Sequence, residues 1–169
     1  MIEFFRQDEQ TLAISGLGNF HCELLRRIAP SAAVDEDDPA YERIYPSPSN
    51  GRDSEGDEDW REHVQPDLQS LFQSAMEIVE SDLANVSEDE ASQTHTLRLP
   101  MSHLRAWLNA LNQARLALAA RYSIEEANLE QLLSVGGVRS LAILQIDFYG
   151  EIQGCIIQIL AGDSDGDEL

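Results

Sequence analysis

Four polar residues, Arg115, Asp82, Gln145 and Asn112, have the types and positions that could do chemistry. Placed at steps of about 100° per residue, Arg115 falls in the centre of an apolar arc made by Leu108, Leu111 and Leu118. Asp82 falls among Leu71, Ala75, Ile78 and Val79, and Gln145 falls mid-stripe in the last apolar run. Three helices thus each direct one polar group inward. A buried guanidinium without a partner is very costly, and breaking a buried pair loses about 3–5 kcal/mol, so these groups are expected to meet. The expected arrangement is an Arg115–Asp82 pair, with Gln145 and Asn112 completing the hydrogen bonds. Such a network fixes helix register and orientation. Its other use is a ligand or active site in the bundle core around Arg115.

Other chemistry lacks its residues. Zinc catalysis asks for HExxH or paired Cys and His ligands, whereas His21, His63, His95 and His103 are scattered and CxxC is absent. No glutamate stands three residues before a histidine, which excludes the di-iron bundle pattern. Asp163-Ser164-Asp165-Gly166-Asp167 has calcium-loop character but lacks the downstream glutamate and exiting helix that such a loop needs. Gly16-Leu17-Gly18 reads as a helix-entry turn, since a dinucleotide site needs a third glycine and a βαβ unit. His21 and Cys22 are adjacent and point about 100° apart on a helix, so they do not make a thiolate–imidazole pair. Asp147 and Glu151 share a helix face at i, i+4 and mark a solvated stripe, with a two-carboxylate acid/base site as the rival reading. Gly150 and Gly154 flank it and would admit a close backbone, a neighbouring helix before a second copy. No catalytic residue, metal ligand or cofactor is expected.

Charge narrows the partners. Thirty-one acidic residues oppose 11 basic ones, all arginine, for a formal net charge of -20. Phosphate backbones and anionic headgroups are repelled by such a field, so neither nucleic acid nor a membrane surface is an expected partner. A protein with a basic surface is, and a homodimer is a further candidate; simple solubility, as in a salt-rich cell, is the competing use of the charge. No leader segment or uncharged run of roughly 18 apolar residues stands out, which makes the cytoplasm the expected location. Cys22 and Cys155 lie far apart in apolar helical patterns and read as buried thiols.

The elements that must position these groups follow from periodicity. IEFFRQDEQTLAIS sets two β-prone runs about a polar turn and predicts a hairpin over 2–15. Leu17, Phe20, Leu24, Leu25 and Ile28 recur at helical spacing and predict a helix over 17–29, stopped by Pro30. Residues 31–59, rich in acid, Pro, Ser and Gly, read as an acidic loop with a short helical island at Pro39 to Ile44. A helical core over 60–161 follows. It has a long amphipathic helix within Asp59 to Val86, where Pro66 implies that a short segment, 58–65, precedes the main helix or joins it through a kink, then a polar link SEDEASQTHT and a helix from Ser102 to Tyr122 with Ser102 as N-cap. A short helix, Ile124 to Leu133, comes next, capped by Ser123 with Glu126, and then a final buried helix over 138–161. An acidic tail closes the chain at 162–169. The expected fold is mainly α: one domain over 1–169, a helical bundle of about four to five helices with a small N-terminal hairpin.

Trp107-Leu108-Asn109-Ala110-Leu111-Asn112-Gln113-Ala114-Arg115-Leu116-Ala117-Leu118, with Arg121 beyond, resembles the WL-x-x-LN-x-x-RL-x-L-x-x-R signature of a bacterial family known only as a domain of unknown function. Asp38-Pro39-Ala40 with Arg43 and Pro46 is similar to that family's DPA-x-x-R-x-x-P segment, and the acid-rich insert around 50–59 departs from its shorter link. Members are often encoded beside the Clp protease adaptor and a JAMM-type peptidase, so the resemblance implies a loose link to protein turnover and carries over no site residues. Sequence alone thus points to an acidic helical protein of unknown function, a non-enzymatic protein-interaction or regulatory module. The alternative is an enzyme or small-ligand binder at Arg115.

Overall fold

A computed structural model describes residues 1–125 and 136–164. The chain opens as the expected hairpin, β1 (Glu3–Asp8) and β2 (Thr11–Leu17), antiparallel with Phe4 opposite Ile14. At Gly16 the backbone takes a φ of +73°, and a Cβ there would stand 2.2 Å from the Met1 carbonyl oxygen. Only glycine fits that bulge and its close approach. Two short helices follow, α1 (Asn19–Arg26) and α2 (Ile28–Ala32), where the sequence predicts one.

The expectation of a helical bundle with only a hairpin is overturned by a second hairpin, β3 (Ser87–Asp89) and β4 (Thr94–Pro100). Strand β4 inserts beside β2, pairing Leu99 with Leu12 and Leu97 with Ile14, and gives an antiparallel four-stranded sheet of order β1-β2-β4-β3. The fold is therefore α+β. Leu97 and Leu99 alternate with exposed Arg98 after two threonines, which is the period of a half-buried strand. Strand β3, Ser-Glu-Asp, is exposed throughout and exists through its ladder to β4 alone, so polarity makes it look like a linker.

The acidic loop is folded as well. It holds α3 (Tyr41–Ile44) and the start of α4 (Ser54–His63), whose N-cap Asp53 accepts from the Gly56 amide. The buried Asp57 carboxylate accepts from both hydroxyls of Ser47 and Ser49 and from the Ser49 amide, and these bonds hold its carboxyl below the ordinary value. Helix α5 (Gln65–Leu83) starts with Pro66 in its first turn, where the missing N–H costs nothing. A 3₁₀ turn, Met101–His103, leads into α6 (Leu104–Tyr122), so Ser102 lies in that turn and is not the N-cap. Ser123 ends α6 in the left-handed region, at φ 51°. The short helix expected over 124–133 and the calcium-like tail fall largely outside the described residues. The last element is α7 (Val138–Ser164).

One core joins both layers: Leu12, Ile14, Leu97 and Leu99 of the sheet pack with Leu25, Ile28, Val79, Trp107, Leu111, Tyr149 and Ile152 of the helices. Phe20, Leu71 and Leu144, which the spacing puts on apolar faces, are exposed instead at the edges of those arcs. Cys22 is buried and Cys155 half-buried, and burial raises both thiol pKa values. Among the described residues no helix is long and apolar enough to cross a membrane.

Candidate functional site

The structure does not bring Arg115, Asp82, Gln145 and Asn112 together; it resolves them into separate arrangements. Asp82, in the last turn of α5, is buried and accepts from the Trp107 indole Nε1 at 2.8 Å and from His103 Nδ1 at 3.0 Å. A buried indole N–H needs an acceptor, and the carboxylate supplies it. Arg115 stands eight residues beyond Trp107, about 12 Å farther along the helix axis at 1.5 Å per residue. That separation is why the expected pair does not form. Asp82 and His103 have the form of an acid–base dyad, yet among the described residues no Ser, Thr or Cys side chain is hydrogen-bonded to His103, so the cluster ties α5 to the start of α6.

Gln145 is buried on α7 and donates to Ser31 Oγ and to the Tyr149 hydroxyl, both at 3.1 Å. Tyr149 in turn donates to the Leu24 carbonyl at 2.6 Å. Burial pushes the Tyr149 phenol up to about 12, so it stays a proton donor across the working range of a protein. The chain of bonds anchors α7 to α1 and α2. Asn112 is exposed.

Arg115 is half-buried where α6 crosses α7. Its Nη1 donates to Gln153 Oε1 at 2.6 Å, and Gln153 in turn donates to the Leu108 carbonyl. A Cβ on Gly150 would lie 3.4 Å from the Arg115 Cζ, so the glycine leaves room for the guanidinium against α7. Gly154 faces open space. The Nε of Arg115 is buried with no partner, and among the described residues no carboxylate meets this guanidinium. Beside it opens a cavity of about 270 Å³, with Arg43 of α3 and Asn112 at its lining.

Six residues on, Arg121 is fully engaged. Its Nη2 and Nε reach Asp38 Oδ2 at 2.7 and 2.9 Å, while Nη1 and Nη2 take the Ser31 and Ala33 carbonyls at 2.5 Å each. The guanidinium bond holds the Asp38 carboxyl below its ordinary value. The sequence reading names Asp38, Arg43 and Arg121 only within the family resemblance. It assigns His103 and Trp107 no role beside Asp82, although a core tryptophan's need for an acceptor was a usable signal.

A larger groove, about 490 Å³, runs between α2 and α5 with α6 beneath it. Phe72, Met76, Tyr45 and Val34 supply apolar wall, and Gln69, Gln73 and Glu80 supply polar lining. Gln113 is also in the lining, buried, with its Nε2 committed to the Ala32 carbonyl at 3.0 Å and its Oε1 unpartnered. Among the described residues no group of three or more His, Cys, Asp or Glu stands close enough to hold a metal ion.

No curated protein and no solved structure matches the chain. Residues 5–160 match the family model of a domain of unknown function, DUF2017, and the chain belongs to that family.

Proposed function

We propose that this protein is a non-enzymatic interaction or regulatory module whose groove between α2 and α5 receives a segment of a partner protein with a basic surface. One observation carries the reading. The groove is a concavity walled by Phe72, Met76, Tyr45 and Val34 and edged by Gln69, Gln73 and Glu80, the mix of apolar wall and polar rim that a partner segment fills. Aromatic and methionine side chains are the ones enriched in protein interfaces, and methionine adapts to varied apolar partners. Glu80 in the lining and the net charge of -20 favour a cationic approach. The resemblance described above adds a loose link to protein turnover.

Retention of proteins from lysate at low and moderate salt tests this, with wild type beside Phe72→Ser and Glu80→Arg. The reading expects a partner held at low salt, weakened at moderate salt and lost from both variants while their far-ultraviolet dichroism stays native. Retention that ignores salt and both substitutions contradicts it. Mass in solution across concentrations tells whether the partner is a second copy.

A second reading, a small-ligand binder at Arg115, gains support from a half-buried guanidinium that meets no carboxylate among the described residues and lines a cavity of about 270 Å³. Asp82 and Gln145 do not belong to it, since each has its own partners elsewhere.

A further inference from the structure

The chain carries 31 acidic residues against 11 arginines, so carboxylate partners are plentiful in its composition. Arg121 and Arg27 each take one. Arg115 instead sits half-buried on a neutral amide, and the cavity next to it is lined by Arg43, Asn112, Leu116, Ala119, Ile124 and Ile146 besides Arg115 itself. No carboxylate is among those residues. Among the described residues, two guanidinium groups and one side-chain amide thus share a concave surface whose other lining is aliphatic.

We propose that this cavity binds a small organic carboxylate with a branched aliphatic body. The inference rests on the ligand reading of Arg115 and is independent of the groove, since consecutive residues Asn112 and Gln113 point about 100° apart around α6. Each part of the ligand has a counterpart. A guanidinium offers five N–H donors in a planar fork that matches a carboxylate bidentately, and charge-assisted bonds of this kind are roughly twice as strong as neutral ones. The Arg115 charge, which among the described residues meets the Gln153 carbonyl dipole and no carboxylate, gains an anion. Asn112 and Arg43 are exposed at the cavity and add donors to the carboxylate's outer side. Leu116, Ala119, Ile124 and Ile146 desolvate four to six carbons of chain, which a cavity of about 270 Å³ accommodates. Inorganic phosphate would satisfy the arginines but waste the aliphatic wall.

Gly150 sharpens the geometry. Because it has no side chain, the guanidinium lies against the α7 backbone, and Gln153 pins Nη1 from one side. The group is therefore held in one orientation before a ligand arrives, which lowers the cost of binding.

The test is calorimetric titration of the full-length protein with 4-methylpentanoate, with 4-methylpentanamide and inorganic phosphate as comparisons. The expected result is saturable binding of the carboxylate to wild type, at least tenfold weaker binding to Arg115→Gln, and a several-fold weakening in Arg43→Gln. The neutral amide should bind at least tenfold more weakly than the carboxylate. Arg43 is exposed on a short helix, so its variant keeps the test decisive if Arg115→Gln fails to fold. Equal binding of carboxylate and amide, or unchanged affinity in the arginine variants, would overturn the proposal. Tighter binding of phosphate than of 4-methylpentanoate overturns the carboxylate class and leaves the Arg115 ligand reading standing. Absence of all binding removes both.

Discussion

Arg115 and Arg121 stand six residues apart on one helix and have opposite circumstances. Arg121 spends its donors on the Asp38 carboxylate and on the carbonyls of Ser31 and Ala33, and so fastens the segment after α2 to the end of α6. Arg115 makes one bond to a neutral amide and keeps a buried donor unused beside a cavity. The difference lies in what the chain delivers to each. The connection from α2 to α3 passes the C-terminal end of α6 and carries Asp38 there, whereas the α7 turn beside Arg115 offers Gly150 and Gln153. A satisfied arginine is a structural joint; an unsatisfied one is a place for something else.

The comparison can be broken most forcefully at Arg121. Arg121→Leu removes the guanidinium from a mostly buried carboxylate and two carbonyls and is expected to lower unfolding free energy by about 3 kcal/mol, at the low end for a broken buried pair. Urea denaturation measures it. Asp82→Ala strips the acceptor from the Trp107 indole and the His103 ring, for an expected loss of about 2 kcal/mol, read from the same transition. Arg115→Leu is expected to change stability by less than about 1 kcal/mol in either direction, because the group it removes was only partly compensated. A loss as large as that of Arg121→Leu would erase the distinction between the two arginines.

A smaller effect comes from acid. The Asp38 carboxyl titrates lower folded than unfolded, so its contribution is present above the unfolded carboxylate value, about 3.9, and is lost as pH falls through the lower folded value. The stability gap between wild type and Arg121→Leu should therefore be widest well above the unfolded carboxylate value and shrink as pH falls below it. The gap between wild type and Arg115→Leu should not follow that trend. Thermal unfolding of the three proteins across this range checks both statements.

Much of the architecture is written in periodicity. The first hairpin, the long helices and the inward phase of Asp82 and Gln145 are visible because apolar residues recur at the spacing of the element that buries them. The second hairpin is harder to see. Strand β3 carries no buried side chain, and β4 offers two leucines in alternation, a signal too short to outweigh the acidic residues before it. That single omission changes the fold class from a bundle to α+β. The site was legible only in part, for a physical reason: helical phase fixes the direction in which a side chain leaves its axis and says nothing of the height at which a neighbour stands. Asp82 and Arg115 do point inward, but Asp82 on α5 meets α6 at Trp107, eight residues before Arg115, and each found the partner available at its own level. Arg43 and Gln113 were invisible as site residues because their significance depends on cavities formed by segments distant in sequence.

The central claim is that Arg115 is open to an anion and Arg121 is closed. The arginine Nε–Hε resonances of the two residues report on it directly, followed by nuclear magnetic resonance during titration with 4-methylpentanoate. The account predicts that the Arg115 Hε shifts as the carboxylate saturates the protein, while the Arg121 Hε stays in place. An Arg115 resonance that stays in place, or two resonances that move together, would contradict it.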